Sequence, residues 1–329
     1  MTSLAQSVED YLNTVSLARS SNTARTYRQS LAAFLRVLAH KGLDPARLTA
    51  DKATEDWIRW LLDDLKGYAP ATERLYLTAV SGWYDYLAAE ALAEVNLPRL
   101  RMLIRHRARK PGQRLPQFPR NAIEAVLQHA LTLAAQPAQD DSGRLRHLRD
   151  RAFLLTLADT GLRVHEACRL RRGDLDWQEA QALIVGKGDR QAVIRFSRRS
   201  LEALRGYLRA RNHLDGASGR PLSALPLFAR HDRGAGRRVL PMTPTTGRAI
   251  VHERVAEALG PEAVGSVTPH SFRHFFVTTV LRGSGGNLKL AQELARHRNI
   301  AVTQRYAHLS DDELDRGYHE IFDASSQKA

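Results

Sequence analysis

The first third of the chain carries apolar side chains at the three- and four-residue spacing of amphipathic helices, and this pattern restricts the fold more than any other feature. Small polar residues and glycines separate the segments. The pattern predicts four helices: Leu4–Ala18, a second that is capped near Ser21–Thr23 and ends at Gly42, a third from Thr49 to Gly67, and a fourth from Pro70 to Leu92. Four helices with short connections form a compact bundle. We therefore expect residues 1–98 to be one helical domain with its tryptophans and tyrosines in the core.

The remainder of the chain mixes helix and strand signals. Helical patterns cover 119–135, 146–158, 197–212 and 243–259, and strand patterns cover 174–177, 182–185 and 192–196. Gly161 is suited to end the second of these helices. The turn Gly-Lys-Gly-Asp-Arg joins the last two strands and carries Lys187. The fold class predicted is mainly α with a small β-sheet, in which an α+β domain at 118–329 follows the helical bundle.

A basic segment separates the two predicted domains. Between Arg101 and Pro116, 6 residues are Lys or Arg, and prolines and a glycine interrupt the second half. This composition is typical of a linker, which we place at 99–117. A linker this basic suits contact with a phosphate backbone, through Arg101, Arg105, Arg107, Arg109 and Lys110. A merely solvated linker is the alternative.

Charge and composition narrow the classes of partner. The net charge is +14; residues 1–100 contain 11 basic against 12 acidic side chains, so the rest carries 38 against 23, or +15. This imbalance favours nucleic acid as partner, with a membrane surface as a distant second. We find no apolar run long enough to span a membrane and no signal peptide, and the one cysteine excludes a disulfide framework or a multi-cysteine metal site. The chain is expected to be cytoplasmic, without a membrane partner.

The stretch from Thr268 to Tyr306 concentrates chemistry-bearing side chains. Thr268 and Pro269 are suited to the cap and first position of a helix, which places His270 and Arg273 on one face near a helix N-terminus that favours anions. A separate stripe, Phe272, Phe275, Phe276 and Thr279, is expected in the core. His274 follows His270 by four positions, but the glutamate of an H-E-x-x-H metal motif is absent, so we predict no metal site.

His297 and Tyr306 are nine residues apart, so one straight helix would point them in opposite directions. Asn299 is suited to cap a new helix, and a bend there would bring both toward one site. A tyrosine hydroxyl, with an ordinary pKa of about 10, attacks phosphorus only with help from nearby cations or a base.

Two further groups complete a site for phosphoryl transfer. Arg163, with Glu166 three residues on, could join Arg273 in gripping non-bridging phosphate oxygens, and Lys187 could protonate a leaving 5′-oxygen. A surface ion pair for Arg163 and a solvated turn for Lys187 are the alternatives for each taken alone. Cys168 is expected to be a packed core residue.

The pieces occur in one order: T-G-L-R-x-x-E at Thr160–Glu166, G-K-G at Gly186–Gly188, H-x-x-R-H at His270–His274, then His297 and Tyr306. This order resembles that of the tyrosine recombinases, the phage integrase and Xer-like family, over nearly the whole chain. The resemblance implies a SAM-like core-binding bundle and a tyrosine-recombinase catalytic domain. It also implies that Arg163 and Arg273 bind the scissile phosphate and that Glu166 supports the first arginine. Lys187 would be the general acid, His270 would handle a proton, His297 would hydrogen-bond the phosphate, and Tyr306 would be the nucleophile.

The resemblance further implies strand exchange through a 3′-phosphotyrosine and a Holliday junction, in a homo-tetramer on double-stranded recombination sites, without cofactor, ATP or metal. The segment 310–324 would be a terminal helix that docks on a neighbouring subunit, with packing on its own domain as the alternative. An accessory protein or partner recombinase could take part. The chain starts directly with the bundle, which favours an Xer-like or mobile-element recombinase over the large phage integrases. One departure is Arg296, where the family usually has glycine before the histidine, so the resemblance does not fix the local turn there; an extra cation would be compatible with nearby DNA.

Two other functions remain open on the sequence. A type IB topoisomerase-like enzyme would share the tyrosine chemistry but relax DNA as a monomer. A non-catalytic DNA-binding protein could keep the scaffold without the reaction, although the full set of catalytic-type residues opposes this.

Overall fold

The computed structural model describes residues 2–109, 119–186, 191–297 and 299–304. The chain divides into two compact units, Met1–Gln113 and Arg114–Ala329. The described part of the first unit is helical, with these helices: α1 Leu4–Ala18, α2 Ser21–His40, α3 Trp57–Asp64, α4 Pro70–Ala89 and α5 Leu97–Arg107. No helix within the described ranges is both long and apolar enough to cross a bilayer.

The first unit has an aromatic core. Phe34 packs edge-on to Trp83 with ring centroids 5.7 Å apart, and Trp83 contacts Tyr84 in the same way at 4.9 Å. The polar ends of these buried rings are satisfied: Trp83 Nε1 donates to Ser7 Oγ at 3.3 Å, and the Tyr84 hydroxyl donates to the Thr54 carbonyl at 2.7 Å. The prediction of a helical bundle with an aromatic core is therefore confirmed, with the exception of Tyr68, which is exposed.

The predicted linker at 99–117 is wrong at its start, because Leu97–Arg107 is a helix of the first unit. Asn96 caps this helix by accepting from the Arg99 backbone N–H at 3.0 Å, and Leu100 and Leu103 are buried in the aromatic core. Two apolar side chains in a row of arginines are enough to anchor one face of a short helix. The third predicted helix is also shorter than expected, since its first residues form an isolated 3₁₀ turn at Ala50–Lys52.

The second unit combines helices with one small sheet. Its helices are α6 Arg120–Thr132, α7 Asp141–Thr160, α8 Val164–Arg169, α9 Arg198–Ala210, α10 Asn212–Gly216, α11 Pro244–Leu259, α12 Pro269–Gly283, α13 Leu288–Ala295 and α14 Ile300–Gln304, and its strands are β1 Leu175–Asp176, β2 Gln181–Val185 and β3 Gln191–Arg195. The strands are antiparallel in the order β1-β2-β3. Ala182 pairs with Ile194 across β2 and β3, and both face the core. The predicted hairpin is confirmed.

Helix α7 is the central element of the second unit. It begins at Asp140, whose carboxylate accepts from the Gly143 N–H at 2.6 Å, and it contacts α6, α9 and α12. It ends at Gly161, which has a left-handed φ of 61°, and a Cβ there would lie 2.5 Å from the Phe276 ring. The predicted glycine cap is thus confirmed and has a second cause in the close approach of α12.

A buried arginine fixes the irregular segment between α10 and α11. Arg211, fully buried, donates to both carboxylate oxygens of Asp215 at 2.8 and 3.2 Å, to the Tyr207 hydroxyl at 3.0 Å, and to the carbonyls of Leu227 and Pro226 at 3.2 and 2.9 Å. Arg172 also donates to Asp215. The guanidinium therefore replaces the hydrogen bonds that a loop without regular structure lacks.

Candidate active site

The structure describes five of the seven residues that the sequence assigns to the site or its support. Arg163 and Glu166 lie at the start of α8, His270 and Arg273 on the first turns of α12, and His297 after α13. Lys187 and Tyr306 lie outside the described residues, and so does the predicted terminal helix at 310–324.

Helix α12 begins as predicted. Thr268 Oγ1 accepts from the Ser271 N–H at 3.4 Å, and the Ser271 hydroxyl accepts from the Thr268 N–H at 3.0 Å, so each residue caps the other. In the predicted apolar stripe, Phe272 and Phe275 are buried, whereas Thr279 is exposed, which corrects that part of the prediction. Val277 takes its place in the core.

His270 and His274 touch each other on α12, with ring centroids 4.3 Å apart in an edge-to-face arrangement. Partial burial and the nearby guanidiniums of Arg273 and Arg163 hold the pKa of His270 below its ordinary value. Burial, His270 and Arg273 lower the pKa of His274 to about 4. Within the described ranges, no group of three or more His, Cys, Asp or Glu side chains is arranged to hold a metal ion.

Arg273 is buried and joins two distant segments. Its Nη1 donates to the Gly161 carbonyl at 2.6 Å, 112 positions away in sequence, and its Nη2 donates to the Ala295 carbonyl. The same guanidinium therefore contacts the last turn of α7, next to Arg163, and the last turn of α13, next to His297. This contact brings the three motifs to one place.

Arg163 and Glu166 form the predicted ion pair. Glu166 accepts from the Arg163 backbone N–H at 2.9 Å and from Arg163 Nη1 at 2.9 Å, while the Arg163 side chain keeps 45% of its surface exposed. Burial alone would raise the pKa of Glu166, but the Arg163 N–H bonds and the charges of Arg296 and Arg163 outweigh it and hold the pKa below its ordinary value. The carboxylate thus stays ionised beside an arginine that is open to solvent.

His297 follows the end of α13, and the chain turns there. Its Nδ1 hydrogen-bonds Thr303 Oγ1 at 2.9 Å, and burial together with Arg273 and Arg163 lowers the pKa of His297 to about 4. Asn299 accepts from the Ala301 N–H at 2.9 Å, and helix α14 starts at Ile300. The predicted break at Asn299 is confirmed.

Arg296, the departure from the family pattern, turns its side chain into the protein. Its side chain is only 13% exposed; Nη2 donates to Glu166 Oε2 at 3.2 Å and lies 3.5 Å from the Gly161 carbonyl, so it faces the protein and is not an extra surface cation. Its backbone is left-handed, with φ 58° and ψ 44°. The sequence does contain a signal for this unusual role, because an arginine occupies a helix C-terminal position that is ordinarily glycine.

The basic residues predicted to contact DNA from the first unit divide into two kinds. Arg105 and Arg107 are exposed, and Arg101 pairs with Asp85 at 2.9 Å while 63% of its side chain stays exposed. Arg109 is instead tied to the protein: Nε donates to the buried Glu73 at 2.6 Å, and Nη2 donates to the Leu65 and Tyr68 carbonyls. Lys110 lies outside the described residues.

A groove of ≈ 820 Å³ in the first unit brings arginines from different helices together. Its apolar floor includes Tyr11, Leu77 and Ile104. The arginines along it are Arg19, Arg74, Arg101, Arg105 and Arg109. Arginines around an apolar groove favour an anionic partner for this unit.

Comparison with known proteins gives consistent matches. Residues 124–313, more than half of the chain, match the phage integrase family, and residues 8–91 match the phage integrase N-terminal SAM-like domain. The tyrosine recombinase XerC of Thermodesulfovibrio yellowstonii is 28% identical over 94% of this chain and 93% of its own length. That of Mycobacterium sp. strain KMS is 34% identical over 72% of this chain and 79% of its own length.

Among solved structures, the XerH site-specific recombinase bound to palindromic difH substrate has a TM-score of 0.64 at 17% identity. The match covers 90% of this chain and 79% of that one, and at this identity the likeness concerns the fold.

Proposed function

This chain belongs to the phage integrase family and is a site-specific tyrosine recombinase, and from that premise we propose that it cleaves and rejoins DNA through a 3′-phosphotyrosine on Tyr306. The observation that carries the proposal is the bridge made by Arg273. This arginine bonds the Gly161 carbonyl beside Arg163 and the Ala295 carbonyl beside His297, so three separate motifs meet around one guanidinium. Such a concentration of positive charge and N–H donors fits a scissile phosphate.

The proposed reaction assigns one task to each group. Arg163 and Arg273 hold the non-bridging oxygens of the phosphate, where charge builds up in the transition state. The Tyr306 hydroxyl gives up its proton, with His270 as the proton-handling group, and its oxygen attacks phosphorus. A bond forms between the Tyr306 oxygen and phosphorus, and the bond from phosphorus to the 5′-oxygen breaks. Lys187 gives that oxygen its proton.

His297 is suited to donate to the phosphate as a neutral imidazole. With a pKa of about 4 it is uncharged near neutral pH, and if Nδ1 accepts from the Thr303 hydroxyl, the ring proton resides on Nε2. A neutral donor adds a hydrogen bond without adding charge to a site that already holds several arginines.

Rejoining is the reverse reaction with a 5′-hydroxyl from a second DNA strand. The phosphotyrosine ester retains the energy of the broken phosphodiester, so the reaction needs no ATP, metal or other cofactor. We propose that two successive pairs of exchanges pass through a Holliday junction in a homo-tetramer on double-stranded recombination sites. The segment 310–324 would dock on the neighbouring subunit. An accessory protein or a partner recombinase would join this complex on the DNA. We propose a cytoplasmic location, since the substrate is DNA.

The first unit is proposed to grip the DNA backbone through its exposed arginines, with Arg101, Arg105 and Arg107 as the contacts. Arg109 is proposed to belong to the same basic surface, and its guanidinium also donates to Glu73 and to two backbone carbonyls. The XerH structure supports DNA as the partner, since that recombinase is bound to its difH substrate.

The test is covalent capture on a nicked suicide substrate made from DNA that the protein protects. Tyr306→Phe is expected to keep DNA binding and to lose the protein–DNA adduct, because the attacking oxygen is gone. Tyr68→Phe is the matched control, since this exposed tyrosine has no place in the proposed site, and it is expected to form the adduct. An adduct that persists in Tyr306→Phe contradicts the mechanism. A plasmid with two target sites then separates exchange of strands, expected here, from simple relaxation.

A further inference from the structure

We propose that Arg296 is a positioning residue for strand cleavage, which holds Glu166 between two guanidiniums and thereby fixes the Arg163 segment to the His297 segment. The inference rests on the proposed function, because it concerns how the phosphate-binding groups are kept in place. It assigns a task to the residue at which this chain departs from the glycine usual in its family.

The backbone at Arg296 is strained. Helix α13 ends with the His297 N–H donating to the Gln292 carbonyl and the Arg296 N–H donating to the Glu293 carbonyl, both at 3.0 Å. This is the Schellman arrangement, in which the left-handed residue is usually glycine because a Cβ is unfavourable there. Helix α7 follows the rule with Gly161 at φ 61°, whereas α13 has Arg296 at φ 58°. Such strain persists only where the surroundings enforce it, and it concentrates at functional sites.

The side chain explains what enforces the strain. Arg296 Nη2 donates to Glu166 Oε2, and the two side chains are only 13% and 4% exposed. The nitrogen also approaches the Gly161 carbonyl, which already accepts from Arg273. Arg296 therefore connects the turn before His297 to the segment 161–166, which carries Arg163.

Glu166 consequently serves two arginines. Oε1 accepts from Arg163 Nη1, while Oε2 accepts from both the Arg163 backbone N–H and Arg296 Nη2. A carboxylate that neutralises one arginine alone would compete with DNA for it. By sharing the negative charge, Arg296 weakens the hold of Glu166 on Arg163 and leaves the exposed guanidinium available for phosphate.

Arg296 acts through Glu166 and does not touch DNA. Its Nη1 is buried and has no hydrogen-bond partner in the part of the chain that the structure describes. A buried donor without an acceptor is unfavourable for stability. The left-handed backbone at Arg296 and its unpaired Nη1 both destabilise the folded protein. Arg296 keeps its contact with Glu166 in spite of both.

The test compares substitutions at Arg296 by single-turnover cleavage of the suicide substrate and by DNA affinity. Arg296→Met and Arg296→Gly are expected to bind DNA with unchanged affinity and to cleave at least about tenfold more slowly, because misplacing catalytic groups by about 1 Å costs on the order of 100-fold. Arg296→Lys keeps the charge and is expected to recover part of the rate. The glycine variant also relieves the backbone strain, so it guards against simple misfolding.

Ala180 offers a matched control, since it is the other left-handed non-glycine residue described in the second unit, with φ 53°. Ala180→Gly relieves similar strain at the turn between β1 and β2 and is expected to leave cleavage unchanged. In a Glu166→Gln background, Arg296→Met is expected to cause little further loss, because the shared partner is already neutral. Wild-type cleavage by Arg296→Gly, or full additivity with Glu166→Gln, overturns the inference.

The experiments can refute the proposed function and this inference separately. If Tyr306→Phe still forms the adduct, the mechanism itself is wrong, whatever Arg296 does. If Tyr306→Phe loses the adduct while the Arg296 variants cleave at the wild-type rate, only the positioning role is refuted.

Discussion

Two regions of the second unit bury arginines, and they do so in opposite ways. Around Arg211, the guanidinium makes five hydrogen bonds, to Asp215, Tyr207 and two backbone carbonyls. Around Glu166, one carboxylate is shared by Arg163 and Arg296, Arg296 Nη1 has no partner within the described residues, and the backbone at Arg296 is left-handed. Fully satisfied polar networks rigidify a fold, whereas a partly satisfied network on strained backbone breaks local rules in the way that functional sites do.

The comparison separates arginines that hold the fold from arginines that we propose to serve the phosphate site. Composition alone cannot make this distinction, because both kinds add equally to the net charge of +14. Substitutions in the two regions should therefore affect different measurements: cleavage at the Glu166 region and unfolding at the Arg211 region.

The largest effect is expected from Arg163→Ala. Cleavage should fall on the order of 1000-fold or more, the magnitude found when an arginine that stabilises phosphoryl-transfer charge is removed. The free energy of unfolding should change much less than for Arg211, because the Arg163 side chain is 45% exposed and Glu166 keeps the backbone N–H of residue 163 and Arg296 as partners. Single-turnover cleavage and urea unfolding measure the two quantities. Near-normal cleavage would remove Arg163 from the site.

Arg211→Met is expected to show the opposite result. It leaves Asp215 buried with only Arg172 as a charged partner, and breaking a buried pair costs about 3–5 kcal/mol of unfolding free energy. At temperatures where the variant is folded, cleavage should be close to normal. The control is Arg198→Met on α9, whose pair with Glu202 is exposed and should contribute under about 1 kcal/mol. Equal losses of unfolding free energy in Arg211→Met and Arg198→Met would contradict the idea that Arg211 holds the fold.

Stability should also decrease at low pH through one histidine in the Arg211 region, His231, and one on α12, His274. In the Arg211 region, the Tyr207 hydroxyl accepts from Arg211 and from the Ala229 N–H, so it donates its own proton to His231 Nε2 at 2.8 Å. Burial and the charges of Arg149, Arg211 and Arg146, opposed only by Asp232, lower the pKa of His231 to about 3. The unfolded chain therefore binds a proton near pH 6.5 that the folded protein does not take up until about pH 3.

The melting temperature should accordingly be nearly constant above about pH 7 and should fall as pH decreases from about 6.5. His231→Gln is expected to reduce this slope down to about pH 3, whereas His274→Gln, whose wild-type pKa is lowered to about 4, is expected to reduce it only down to about pH 4. Thermal melts across this pH range measure the contribution of each histidine to the change in melting temperature. A slope that neither substitution changes would show that other groups control it.

Local signals in the sequence were sufficient for much of the fold. Leu4–Ala18, the hairpin strands, the Gly161 cap and the Thr268 start were all predicted correctly, because each depends on periodicity or on capping chemistry within a few residues. The Arg163–Glu166 pair was predicted for the same reason, since its members are one helical turn apart.

The errors share a physical cause, which is packing between distant segments. Helix α5 reads as a linker because its arginines dominate the composition, while two leucines decide its burial. Arg296 reads as a surface cation because its partner, Glu166, is 130 positions away. The five bonds of Arg211 are likewise invisible, since an arginine four residues before an aspartate is typical of an exposed helix face.

The single cysteine has a practical consequence for following strand exchange in real time. Cys168 is buried on α8, and burial raises the pKa of its thiol to about 12, so very little reactive thiolate is present at neutral pH. A cysteine introduced at an exposed position, such as Ser16 on α1, should therefore take up a maleimide dye selectively in the otherwise native sequence. Fluorescence experiments on single recombining complexes could then begin from the natural chain, without first removing a core residue.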